Sequence, residues 1–197
     1  MSEYGRKSIR KTLRQKRRNL TGAARIQAAK SLTELFLENI DTNKIQSFSF
    51  YMAADGEIDP SMLVGKLITM DCQAYLPVMN PEEISLTFRQ FKNSEPLVRN
   101  SYGLMEPNDA SKTIKAENLD AVLMPLVGFD DKCNRLGMGK GYYDRVFAFK
   151  KEKPATLPLL IGLGHECQRV EELQSADWDV PMDFVISDQK IYRLKSE

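Results

Sequence analysis

A chain of 197 residues with 42% hydrophobic content can build one core and is short for two domains. Its 28 Lys and Arg nearly balance 27 Asp and Glu, which argues against a protein built for nucleic acid or a membrane surface. Three cysteines (Cys72, Cys133, Cys167) without C-x-x-C spacing suit a reducing cytoplasm better than a disulfide framework, no run reaches transmembrane length, and no apolar h-region follows the basic N-terminus.

Residues 4–18 read as a helix whose thin apolar stripe is Ile9 and Leu13, spaced i, i+4. Eight of the thirteen residues from Arg6 to Arg18 are basic. Such a face is either solvated or aimed at a polyphosphate, which the planar donor fork of Arg suits. On this reading Arg17 and Arg18 are expected on the solvated side. Thr21 is an N-cap for a second helix to about residue 40, with Ala24, Ala28, Leu32, Leu35 and Phe36 on one side.

Residues 45–52 read as a strand, followed by a turn and a helix over 61–70. Glu57 lies just past that strand's C-terminal end, where ligand groups gather in open α/β sheets; it could equally be a capping or solvated acid. Met52, taken alone, reads as core. Strands over 73–79 and 84–91 form a hairpin across the Asn80-Pro81 turn, residues 100–107 form a loop punctuated by Gly and Pro, and 108–119 hold one short helix.

The apolar run 120–130 reads as a central strand that feeds residues 134–144, Asn-Arg-Leu-Gly-Met-Gly-Lys-Gly-Tyr-Tyr-Asp. Gly137, Gly139 and Gly141 alternate, Arg135 and Lys140 bring cations, and a helix is expected over 143–149. Strand, Gly-rich loop and helix make an anion site: glycines admit a phosphate, successive N–H groups form a nest, and the helix start adds positive potential. The run matches neither a Walker loop nor the G-x-G-x-x-G fingerprint. Asp144 is either a helix-start cap or a Mg²⁺ ligand. Residues 157–163 and 184–187 read as further strands. His165, the one histidine, is expected as a non-catalytic loop residue near the site mouth, and Asp179 by itself reads as a turn residue. Alternating strands and helices give one α/β domain over 1–197 with a mainly parallel sheet. A phosphate loop, a second cationic element and separated carboxylates predict nucleotide-dependent phosphoryl transfer with the acceptor open.

The run from Asn134 to Arg145 resembles the signature of the 5-formyltetrahydrofolate cyclo-ligase family. The likeness extends from Arg6 to about Ser187 and implies a three-layer α/β/α sandwich, with ATP and Mg²⁺ as cofactors. It implies that Arg6 and Arg10 of the basic motif contact ATP phosphates, with Lys7, Ser8 and Ile9 between them. Arg6 stands where Lys is more usual. Arg135, Leu136, Gly137, Met138, Gly139, Lys140, Gly141, Tyr142 and Tyr143 would complete the ATP site, with Arg10, Arg135 and Lys140 catalytic. Met52, Glu57, Met138 and Tyr142 would hold the folate, Tyr102 and Glu106 lie in a weaker folate-side segment, and Asp144 and Asp179 would hold Mg²⁺. The implied reaction closes 5-formyltetrahydrofolate, possibly polyglutamylated, to 5,10-methenyltetrahydrofolate with release of ADP and phosphate. A cytoplasmic monomer is the expected form, without nucleic-acid or membrane partners. Another ATP-dependent ligase or kinase stands as the alternative, and behind it a nucleic-acid module working through the basic helix.

Overall fold

Ala121–Pro125 is apolar on both faces, which suits a strand covered on both sides. The computed structural model describes residues 3–99, 103, 105–108, 110–153 and 156–194, and places this strand near the middle of an eight-stranded sheet. The strands are β1 (Ser47–Ser49), β2 (Gln73–Asn80), β3 (Ser85–Gln90), β4 (Leu97–Arg99), β5 (Met105–Pro107), β6 (Thr113–Ile114), β7 (Ala121–Pro125), β8 (Gly128–Phe129), β9 (Arg135–Leu136), β10 (Leu159–Leu163), β11 (Phe184–Ile186) and β12 (Ile191–Arg193). Their order in the sheet is β12-β11-β10-β7-β1-β2-β3-β6. The strands from β11 to β2 run parallel, and antiparallel neighbours close both edges. The helices are α1 (Glu3–Arg18), α2 (Gly22–Asn39), α3 (Ser61–Thr69) and α4 (Tyr142–Val146).

The period of two along each strand sorts side chains into two cores. Ala121 and Leu123 join Phe48, Leu76 and Ile161 beneath Leu32 and Phe36 of α2 and Leu63 and Leu67 of α3. Val122 and Met124 face the other way, onto Phe88, Leu160, Val185, Phe129 and Phe147. Burying each such side chain contributes about 1.5–3 kcal/mol. The result is the expected α/β/α sandwich, although the second outer layer is a short helix, 3-10 turns and the β8–β9 hairpin. The Thr21 cap is present: its hydroxyl accepts from the Ala24 N–H at 3.2 Å.

Several elements differ from expectation. β1 spans three residues because the chain leaves the sheet at Tyr51, whose hydroxyl donates to the Ile58 carbonyl at 2.7 Å and ties down the following loop. The run 120–130 breaks after Pro125, which has no N–H for a ladder, and its second half pairs antiparallel with β9. A β-hairpin therefore stands between the central strand and the Gly-rich loop. α4 has five residues and a separate 3-10 helix, Ala148–Lys151, follows it. Residues 108–119 hold the edge strand β6 and a 3-10 turn, Ala116–Asn118. β12 and the β4–β5 hairpin were not expected. Tyr102 lies outside the described residues.

Candidate active site

The site is built on α1, which lies across the carboxyl ends of β1, β7 and β10. Its Arg17 bonds the carbonyls of Asp55 and Leu126, just past β1 and β7, and the helix packs on the 3-10 turn Glu166–Gln168 that follows β10. Ligands bind at this edge in open α/β sheets.

The hairpin that launches the Gly-rich loop is fixed at its tip by Asp130, which is fully buried. Its carboxylate accepts from the N–H groups of Lys132 and Asn134 (both 3.0 Å), from the Asn134 amide (2.9 Å) and from the Leu173 N–H (2.9 Å). These bonds satisfy a charge that would otherwise be costly to bury. Beyond the tip, Gly139 (φ +99°) and Gly141 (φ +73°) take left-handed backbone that L side chains avoid. A Cβ on Gly139 would meet the Arg10 guanidinium at 3.4 Å, so the loop is moulded to that arginine. Arg10 Nε donates to the Gly137 carbonyl at 2.9 Å.

Two arginine–aspartate pairs meet in the cleft between α1 and this loop, lined by Arg6, Ile9, Arg135, Leu136 and Asp179. Arg6 Nη2 donates to Asp179 Oδ2 at 2.6 Å and to the Gln174 carbonyl at 2.7 Å. Arg135 Nη2 donates to Asp144 Oδ1 at 2.7 Å, and its guanidinium stands 5.4 Å from the centre of the Tyr143 ring. The Val180 N–H also points at Asp144 (3.4 Å), so the two carboxylates share one neighbourhood. Among the described residues Arg135 Nε is buried with no hydrogen-bond partner.

Glu57 lies on the loop after β1, against Arg17 of α1. Burial pushes its carboxyl up, while Arg17, the N–H of Ala54 and Arg14 pull it down. Burial, chiefly, also raises the Tyr51 and Tyr143 phenols, and the Glu57 charge adds to both shifts, so the three face one another.

Arg6, Arg10, Arg135, Asp144 and Asp179 are thus brought together, and Tyr143 links them to Glu57. Lys140, Lys7 and Ser8 are exposed, as are Met52 and Met138 (39% and 55%), whereas Tyr142 leans on the second core. Asp144 is no helix cap: Gly141 holds that position without a side-chain bond. Glu106 is buried and accepts from the Met79 N–H at 3.2 Å, steadying the edge of β2. His165 is not at the site mouth. It is 1% exposed, and burial lowers its pKa from the ordinary 6.5.

Arg17 overturns the reading of α1 as solvated beyond its first turns, since it is fully buried. The signal was in the sequence: Ile9, Leu13 and Arg17 are spaced i, i+4, i+8, one face of a helix. Nothing local marks Asp55, which pairs with Arg14, Arg17 and Arg18, or the buried Asp130, because their partners come from distant segments.

Fold and site define an open-sheet α/β enzyme with a cation-lined cleft at the carboxyl edge of its sheet. The model of the 5-formyltetrahydrofolate cyclo-ligase family matches residues 2–188. The chain is 35% identical over 184 residues to the 5-formyltetrahydrofolate cyclo-ligase of Haemophilus influenzae, covering 92% of this chain and 97% of that one. With the Escherichia coli K12 protein of the same name it shares 30% over 182 residues, covering 91% and 98%. The solution structure of Aquifex aeolicus 5,10-methenyltetrahydrofolate synthetase matches with a TM-score of 0.81 at 25% identity, over 98% of this chain and 94% of that one. The Mycoplasma pneumoniae 5,10-methenyltetrahydrofolate synthetase supports the fold alone, with a TM-score of 0.74 at 22% identity over 93% and 98%. The chain belongs to the 5-formyltetrahydrofolate cyclo-ligase family.

Proposed function

We propose that this chain converts 5-formyltetrahydrofolate to 5,10-methenyltetrahydrofolate, with ATP and Mg²⁺. The observation that carries the ATP step is the convergence of Arg6, Arg10 and Arg135 on the Gly-rich loop, with Arg135 Nε left as an orphan donor. Phosphate oxygens would take the place of Asp179 and Asp144 on the two arginine forks, where charge-assisted bidentate bonds are strongest. That exchange frees both carboxylates. Asp144 and Asp179 would then suit Mg²⁺, an ion that takes one or two carboxylates and completes its shell with phosphate and water. When bound, it would neutralise charge building on the transferred phosphoryl group.

The formyl carbonyl is a poor electrophile because N5 donates into it. Transfer of the γ-phosphoryl group to the formyl oxygen turns that oxygen into a leaving group. N10 then attacks the formyl carbon and loses its proton, the carbon–oxygen bond breaks, and phosphate departs as the ring closes. Lys140, Arg10 and Arg135 would hold the phosphates, and the loop would position them for in-line transfer. Glu57 would accept from pterin N–H groups, with Met52, Met138 and Tyr142 around the folate. A nucleic-acid role is disfavoured by the pairing of Arg14, Arg17 and Arg18 with Asp55, which takes three of the helix's eight cations away from the phosphate contacts a duplex would need. The three free cysteines fit a cytoplasmic setting.

The test is absorbance of methenyltetrahydrofolate formed by the purified protein from 5-formyltetrahydrofolate. Product is expected only with ATP and Mg²⁺ together. No product with all three present overturns the reading, and product without nucleotide overturns its ATP step.

A further inference from the structure

The reaction requires a nucleotide and a folate to meet, and one buried side chain ties their two sides of the cleft together. Arg17 shares α1 with Arg6 and Arg10 but is completely buried. Its Nε donates to the Asp55 carbonyl (2.9 Å), Nη1 to the Leu126 carbonyl (3.0 Å), and Nη2 to Asp55 Oδ2 (3.0 Å) and Glu57 Oε1 (3.4 Å). One guanidinium thus binds the helix, the end of the central strand and the loop that carries Glu57. The loop sits tightly on the helix: Gly56 has φ +75°, and a Cβ there would lie 3.2 Å from the Arg17 carbonyl oxygen.

We propose that Arg17 is a positioning residue for the folate side of the site, fixing the Glu57 carboxylate against the helix that carries the nucleotide cations. The inference rests on the reading of Glu57 as a folate contact. A lysine could reach one or two of these acceptors but has no rigid fork to span all four. Arg17 also governs the charge on Glu57. The groups that face this carboxyl are Arg17 and Arg14 of α1, Asp55 of its own loop, Tyr51 beyond β1 and Tyr143 of α4. Burial already favours its protonated form, and Arg17 is the foremost opposing charge.

The experiment compares Arg17→Lys, Glu57→Gln and the double variant. It measures KM for 5-formyltetrahydrofolate and for ATP, and the pH dependence of the folate KM. Arg17→Lys is expected to fold, to raise the folate KM about tenfold or more and to leave the ATP KM within about twofold. The pH at which folate binding weakens should move upward on the acid side. In the double variant the two folate effects should overlap rather than multiply. If Glu57→Gln raises the folate KM and Arg17→Lys moves neither that KM nor its pH profile, the role of Arg17 is overturned while Glu57 stands. If Glu57→Gln leaves the folate KM unchanged, the folate reading of Glu57 fails, and the inference with it. Should Arg17→Lys not fold, Asp55→Asn loosens the same loop from its other end. The same selective loss of folate affinity is expected, and equal loss for ATP and folate, or loss for neither, overturns the proposal.

Discussion

Asp144 faces Arg135 at 2.7 Å across a pair in which the arginine is almost wholly buried. Asp144→Asn keeps the shape and removes the charge, so it unpairs Arg135 and removes a candidate metal ligand together. Nucleotide affinity without Mg²⁺ separates the two effects. As a metal ligand, Asp144→Asn should bind ATP as well as the parent without Mg²⁺, because Arg135 is released to the phosphates, while turnover falls steeply and the Mg²⁺ requirement rises. Calorimetry with and without Mg²⁺ checks this; an unchanged Mg²⁺ requirement leaves Asp144 as a partner of Arg135 only. Lys140, exposed on the Gly-rich loop, makes a simpler prediction. Lys140→Ala should raise the ATP KM, and lower kcat in part, by about 10- to 150-fold combined, the worth of a charge-assisted contact of about 1.5–3 kcal/mol. The folate KM should stay near its parent value in the same steady-state assay.

At the scale of elements, the Gly-rich loop and α1 are shaped to one another. Gly139→Ala places a Cβ at φ +99° and within 3.4 Å of the Arg10 guanidinium. It should cost about 1–3 kcal/mol of stability through backbone strain and weaken ATP binding by shifting the loop that meets Arg10. The start of α2 offers the control. Thr21→Ala removes a side-chain cap worth about 1 kcal/mol from a helix that lines no part of the cleft, so it should lower the denaturation midpoint and leave both KM values alone. Unfolding curves and initial rates on the two variants, side by side, distinguish a moulded active loop from a merely stable one.

For the molecule as a whole, two of the groups through which pH acts are of opposite type. Arg14, Arg18 and Arg17 outweigh burial at Asp55 and hold its carboxyl down at about 2, so its contribution is full above the ordinary value of 3.8 and is lost as pH falls toward about 2. His165 is buried and its pKa is lowered, so the unfolded chain binds its proton more readily than the folded one. Stability should therefore fall as pH drops below the ordinary 6.5. Denaturant midpoints from pH 8 to 3 should show both losses. His165→Gln should flatten the upper one and Asp55→Asn the lower, and a His165→Gln profile that matches the parent would refute the assignment of the upper step.

The sequence by itself determined the local and the periodic. The Thr21 cap, the β2–β3 hairpin, the two-faced central strand, the Gly-rich loop and the spacing that likens it to a cyclo-ligase were all legible, because each depends on neighbours within a few residues. Tertiary structure decided what each charge meets. Arg6 finds Asp179 across 173 positions, and Arg17 finds Leu126 across 109. Arg17 continues the apolar stripe of Ile9 and Leu13, but no local pattern separates Arg6 from the exposed cations Lys7 and Lys11 on the same helix. A charge becomes structural or functional through its desolvation and its partner, and both are set by segments far apart in the chain.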